Sequence, residues 1–157
     1  MELIDSHAHI DFPQFDADRA EMLDRARQAG VATLLAIGTG PGPEKLDAAL
    51  PYAEQHDWIY ASVGIHPHES KLAGEEHFAQ LDRLARHPRV IAWGEIGLDY
   101  HYDHSPRNVQ ARVFRRQLEQ ARANLWRDQT DYDRITKLFE GGVAPAQERD
   151  HAEAALK

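Results

Sequence analysis

Four short runs rich in β-branched and aromatic residues recur at intervals of about thirty residues: Leu3–Ile10, Val31–Gly38, Trp58–Ile65 and Val90–Ile96. This repeat limits the fold more than any other property of the chain. The stretches between the runs have helical spacing. The first opens at Asp18 with Glu21 three residues on, a capping-box pattern, shows Met22, Leu23, Ala26 and Ala29, and closes at Gly30. A second, Pro43 to Glu54, contains Pro51 and is predicted to break or kink there. A third, Glu75 to His87, puts Phe78, Leu81, Leu84 and Ala85 on one face and stops before Pro88. Strand and helix alternating through short loops predict parallel α/β, and near-continuous apolar strands are those covered on both faces.

After Pro106 the pattern is helical throughout. Phe114, Leu118, Ala121, Leu125, Tyr132, Ile135 and Phe139 form a heptad-like seam. An unbroken helix to Glu140 would be a rod of about 50 Å at 1.5 Å per residue. Gly141-Gly142 ends it, and Pro145 can open a short second helix through Ala155, giving a helical hairpin. The sequence thus divides into residues 1–122, with four strands, and residues 123–157, a coiled-coil-like tail.

The length of 157 residues allows roughly one domain. No apolar run approaches the ~20 residues of a membrane span, and Met1-Glu-Leu-Ile-Asp lacks the basic and apolar regions of a secretion signal. The expectation is a cytoplasmic protein without a membrane partner. Residues 1–105 carry eight basic against eighteen acidic side chains, which argues against capture of nucleic acid by a basic face. A phosphate ester bound there would need a cation to offset the field. The absence of cysteine leaves histidine and carboxylate as the strong metal ligands, and ten histidines are available.

His7-Ala8-His9 closes the first run. On a strand, residues i and i+2 share a face, so both imidazoles can reach one cation. An isolated His-x-His is more often a surface pair, but a carboxylate at the end of another parallel strand would complete a site. Glu95, between Gly94 and Ile96-Gly97 at the end of the fourth run, is such a carboxylate. Its plainer reading is a salt bridge to an arginine. The third run ends in Gly64-Ile65-His66-Pro67-His68, where the proline is expected to keep the two imidazoles from facing one point. His66 is the better candidate for a phosphate contact. Gly38-Thr39-Gly40 is a weak candidate for close backbone approach to a ligand. Tyr100, His101, Tyr102 and His104 either line the mouth of a pocket or are plain loop residues, whereas His56, His77, His87 and His151 read as structural. Sites in parallel α/β folds gather at the carboxyl ends of strands, where His7, His9, His66, Glu95 and Asp99 all fall. The cation is Zn, Mn or Mg, with two imidazoles tilting the choice away from Mg.

With these residues in place the sequence resembles the TatD-type metal-dependent deoxyribonucleases. The resemblance rests on Leu3-Ile-Asp-Ser-His-Ala-His-Ile-Asp11, Val63-Gly-Ile-His-Pro-His68, Gly94-Glu-Ile-Gly-Leu-Asp-Tyr100 and Tyr102-Asp-His-Ser-Pro-Arg107, continuing through Gln110, Phe114 and Gln117-Leu118. It covers about residues 1–122. It implies a TIM-like barrel that hydrolyses phosphodiester bonds of DNA with divalent metal. His7 and His9 would hold one metal and Glu95 would bridge two, with His66, Asp99 and Arg107 on the substrate side. The resemblance puts no residue of this chain in the role of catalytic acid or base. The family pattern continues with two strands bearing ligand histidines and a later one bearing a catalytic aspartate, and residues 123–157 do not follow it. They resemble instead the coiled-coil hairpin of periplasmic efflux adaptor proteins, in Leu118-Glu-Gln-Ala-Arg-Ala-Asn-Leu125 and Lys137-Leu-Phe-Glu-Gly-Gly-Val143.

The expected fold is therefore α/β, a half TIM-like barrel of four parallel strands followed by a helical hairpin. The expected function is a metal-dependent phosphodiester hydrolase, weakened or inactive. The alternative is a noncatalytic assembly protein working through its heptad tail. Four strands leave two open parallel edges, which predict a homo-oligomer.

Overall fold

The structure, a computed structural model, describes residues 2–38 and 42–156. The Thr39-Gly40 part of the candidate glycine turn lies outside the described residues. Strands β1 (Leu3–Ala8), β2 (Val31–Gly38), β3 (Ile59–Val63) and β4 (Val90–Trp93) form one parallel sheet in the order β1-β2-β3-β4. Helices α1 (Arg19–Gln28), α2 (Leu50–Gln55) and α3 (Glu75–Leu84) alternate with the strands, and α4 (Arg107–Glu140) and α5 (Ala146–Leu156) follow. Sequential parallel strands, each followed by a helix, are the arc of a (β/α) barrel.

Packing divides the chain into two units, residues 1–117 and 118–157. In the first, Leu23, Leu34, Ala36, Ala53, Ile59 and Ala61 pack α1 and α2 against the middle of the sheet. Leu46, Val63, Ile65, Phe78, Leu81 and Val113 do the same for α3 and the start of α4. Among the described strands, full burial is confined to the two central ones. β2 and β3 are largely buried, whereas β1 is exposed along nearly its whole length, with Ile4 at 74%. The sequence reading of four strands covered on both faces thus holds for two, because β1 and β4 are the sheet's edges.

Two helix signals resolve differently from their sequence reading. Asp18 precedes α1, yet its side chain makes no capping bond and instead accepts from Arg25 at 2.8 Å. Pro51 does not break a helix but sits in the first turn of α2, where its missing N–H costs nothing. The break comes earlier, after a 3-10 turn at Pro43–Lys45.

In the second unit, α4 ends in a Schellman motif. Gly142 takes φ +72°, its N–H donates to the Phe139 carbonyl at 2.9 Å, and Val143 N–H donates to Leu138 at 2.8 Å. Helix α5 then places the Arg149 guanidinium 4.6 Å from the centre of the Phe139 ring, so the hairpin forms. Its seam is shorter than the heptad reading, since Tyr132, Ile135 and Phe139 are half-buried but Leu125 is exposed. Among the described residues, no helix is long and apolar enough to cross a membrane.

Candidate metal centre and substrate cleft

The carboxyl ends of the strands are drawn together by small residues. Ser62, buried on β3, accepts from Gly38 N–H at 3.3 Å and donates to the Gly94 carbonyl at 2.7 Å, linking the ends of β2, β3 and β4. A Cβ at Gly64 would lie 2.7 Å from Ile96 and 3.0 Å from the Gly94 carbonyl carbon, so only glycine allows the approach that positions the next residue, Glu95.

Glu95 meets the two histidines of β1. His7 Nε2 and His9 Nε2 lie 3.7 and 3.8 Å from the same atom, Glu95 Oε2. Among the described residues, the ion pairs of Glu95 are with these two histidines and not with an arginine. These distances are too long for hydrogen bonds, but they suit atoms sharing a cation: tetrahedral ligands ~2.1 Å from zinc stand roughly 3.4 Å apart. A register shift between Asp5 and Ala8 loosens β1 where His7 projects. His7 N–H is held by Asp5 Oδ1 at 3.1 Å. His9 stacks on Phe12 at 4.7 Å, and the loop bearing Phe12 is fixed by Arg19, which donates to the Ile10 and Phe12 carbonyls at 2.7 and 2.9 Å. His9 Nδ1 and Asp11 Oδ1 are buried without hydrogen-bond partners. Burial raises the pKa of Asp11 above the usual aspartate value, with a backbone hydrogen bond, then His9 and Arg19, opposing. The donor set fits a divalent cation in number and type.

A second group adjoins it. His66, His68 and Glu69 bring ligand-capable atoms within 4.8 Å of one another. The expectation that Pro67 would separate the two imidazoles is corrected here, as their rings are 4.4 Å apart. Pro67 opens a 3-10 turn that folds His68 back, and His68 N–H donates to His66 Nδ1 at 3.2 Å. Burial, then the neighbouring His68, lowers the His66 pKa, with Glu95 and Glu69 opposing. Burial thus favours the neutral imidazole, whose Nδ1 faces both His68 N–H at 3.2 Å and Glu69 Oε2 at 3.4 Å.

His68 Nε2 pairs with Asp99 Oδ2. The other Asp99 oxygen accepts from His101 N–H at 2.8 Å and Tyr102 N–H at 3.2 Å. These backbone donors first, and His68 after them, lower the Asp99 pKa from its ordinary 3.8. A depressed carboxylate pKa contributes stability that is present above the unfolded value and lost as pH falls through the folded one. Asp99→Asn is therefore expected to flatten the loss of thermal stability below about pH 4, measured by circular dichroism melts from pH 2 to 6.

His66, His68, Glu95, Leu98, Asp99 and Tyr102 line a cleft of about 340 Å³. Arg107 is not among its lining residues. Its guanidinium binds both Asp103 oxygens, at 2.8 and 2.7 Å, and the Tyr100 carbonyl at 3.1 Å.

Two glutamines known from the sequence only as motif letters support this edge. Gln110 Oε1 accepts from Asp99 N–H at 2.7 Å while its amide donates to the Asp99 and Ser105 carbonyls. Gln117 accepts from Ile65 N–H at 2.7 Å and donates to the Ile65 carbonyl at 3.1 Å. Their spacing of two helical turns was the available signal, but their partners lie on loops that no periodicity specifies.

Imidazoles and carboxylates gathered at the carboxyl edge of a parallel sheet define a barrel-type α/β protein with a candidate cation site. The profile of the TatD related DNase family matches residues 4–125, and the chain belongs to that family. It is 38% identical over 147 residues to the uncharacterized metal-dependent hydrolase YabD of Bacillus subtilis, covering 90% of this chain and 56% of that protein. It is 38% identical over 121 residues to the 3'-5' ssDNA/RNA exonuclease TatD of Cronobacter turicensis, covering 77% and 45%. The solved structure of YJJV, a TatD homologue from Escherichia coli, matches with TM-score 0.67 and 36% identity over 76% of this chain and 46% of that one. The chain thus spans about half the length of the relatives it matches. The match to YabD covers too much of the chain to stop at residue 122, and the comparisons give no support to the efflux-adaptor resemblance of the tail.

Proposed function

We propose that this chain is a divalent-cation-dependent phosphodiester hydrolase acting on single-stranded nucleic acid. The observation that carries the reading is the convergence of His7 Nε2 and His9 Nε2 on Glu95 Oε2. These three residues would hold the cation. When bound, such a cation supplies Lewis acidity and lowers the pKa of a coordinated water. With Nδ1 accepting from His68 N–H, His66 would offer Nε2–H to a phosphoryl oxygen in the adjoining cleft. Asp99 acts through His68, holding that ring against His66. The acidic surroundings make the cation a condition for binding a phosphodiester anion.

The test is metal content by mass spectrometry together with cleavage of a labelled single-stranded oligonucleotide, before and after chelation. The expected result is bound divalent metal and cleavage that chelation removes and metal restores. Purified protein that takes up no divalent metal would overturn the reading.

The open edges of β1 and β4 support self-association of the chain, because exposed backbone groups there can pair with a second copy. Light scattering is expected to give a dimer or larger species at micromolar concentration, and a monomer at high concentration would reject it.

A further inference from the structure

We infer that Tyr102 is a stacking platform for a nucleobase of single-stranded nucleic acid bound in the cleft beside Glu95. This inference rests on the phosphodiesterase reading and names how the substrate is held.

Tyr102 lines the cleft together with His66, His68, Glu95 and Asp99, yet it remains 65% exposed. A large aromatic so exposed on a loose loop would be unremarkable. Here the loop is fixed at every turn. Asp99 Oδ1 accepts from Tyr102 N–H itself, and Gln110 holds the Asp99 backbone from both sides. Ser105, fully buried, donates to the His68 carbonyl at 2.6 Å and accepts from Lys71 N–H at 3.1 Å. Arg107 clamps Asp103 and the Tyr100 carbonyl. The Tyr102 ring is backed by His104, parallel to it within 1° at 5.6 Å, and braced by the edges of His101 and His68 at 4.6 and 5.7 Å. An aromatic presented rigidly at a cleft wall loses little entropy when a planar ligand settles on it.

Charge points to the same ligand. Among the described residues lining the cleft there is neither lysine nor arginine. Lys71 and Arg107, which hold this loop, are committed elsewhere, Lys71 Nζ to the His104 carbonyl at 2.9 Å and Arg107 to Asp103. A strand held here cannot rely on a basic track. Stacking of bases on aromatic rings is the other general source of single-strand affinity, and it tolerates any base because each has a π face.

The experiment measures binding by fluorescence anisotropy, using a phosphorothioate oligothymidylate and the same oligomer with an abasic 3′-terminal residue. An oligouridylate pair, intact and abasic, forms the second arm. The parent chain is expected to prefer each intact oligomer to its abasic counterpart by about 10-fold or more. Tyr102→Ala should weaken intact oligomers by the same factor and abolish the preference, while Tyr102→Phe and Tyr102→Trp stay within about 3-fold of the parent. Circular dichroism and metal content of each variant should match the parent. Equal binding of intact and abasic oligomers by the parent, or a Tyr102→Phe loss as large as that of Tyr102→Ala, overturns the inference. Base-dependent binding by protein that takes up no divalent metal would retain the platform and reject the hydrolase reading, so the two fail separately.

Discussion

Replacing His7 and His9 together by alanine is expected to lower divalent-metal affinity by at least ~100-fold and to remove any cleavage with it. Loss of even an outer partner of a metal ligand costs 10- to 100-fold, and this change removes two of the three convergent donors. Folding should survive. Both side chains are partly exposed, and neither belongs to the buried clusters that join α1, α2 and α3 to the sheet. Isothermal titration with Mn²⁺ or Zn²⁺, alongside a thermal melt, reads the two effects separately. Metal binding at parent affinity by the double variant would show that the cation sits elsewhere, with the His66–His68–Glu69 group as the next place to look. A heptad tail that is the working part predicts instead that association is the property that matters, and that the double substitution leaves it unchanged.

Gln117→Leu is expected to destabilise the first unit by about 2–4 kcal/mol, because it strips the partners from two buried backbone groups of Ile65 at once. The substitution keeps volume and helix propensity, so a cavity or a weakened α4 is not the cause. A fall in melting temperature of roughly 10 °C follows for a protein of this size. Gln117→Glu should keep the bond from Ile65 N–H but set a buried carboxylate against the Ile65 carbonyl, so its stability is expected to fall further as pH rises from about 4 to 8. The position also bears on the site. Ile65 immediately precedes His66, and the amide of Gln117 serves as the hydrogen-bond neighbour of the chain just beyond the end of β3. A variant melting as the parent does would mean that Ile65 finds other partners.

The apolar runs at 31–38 and 58–65 announce β2 and β3 because side chains buried on both faces leave an uninterrupted hydrophobic record. His7, His9 and Glu95 were legible for a related reason. A parallel sheet puts all strand ends at one edge, so polar residues closing apolar runs must be neighbours there. The same logic failed at Pro67. Proline predicts that His66 and His68 stand apart, but the 3-10 turn it opens brings their rings together. Pro51 likewise starts a helix rather than breaking one. In both places the residue fixed the local backbone, and the direction of the turn came from packing.

Sequence alone determined the class of fold, the edge of the sheet where imidazoles and carboxylates gather, and the three residues that converge there, since each follows from periodicity and strand direction. It did not contain the way the cleft is assembled. The link from Ser62 to Gly94, the approach allowed by Gly64, the hold of Gln110 and Gln117 on loops far along the chain, and the exposed ring of Tyr102 on a fixed loop are decided by tertiary structure. Each is a contact between segments distant in sequence, and only the packed helix and sheet settle which groups are left to meet.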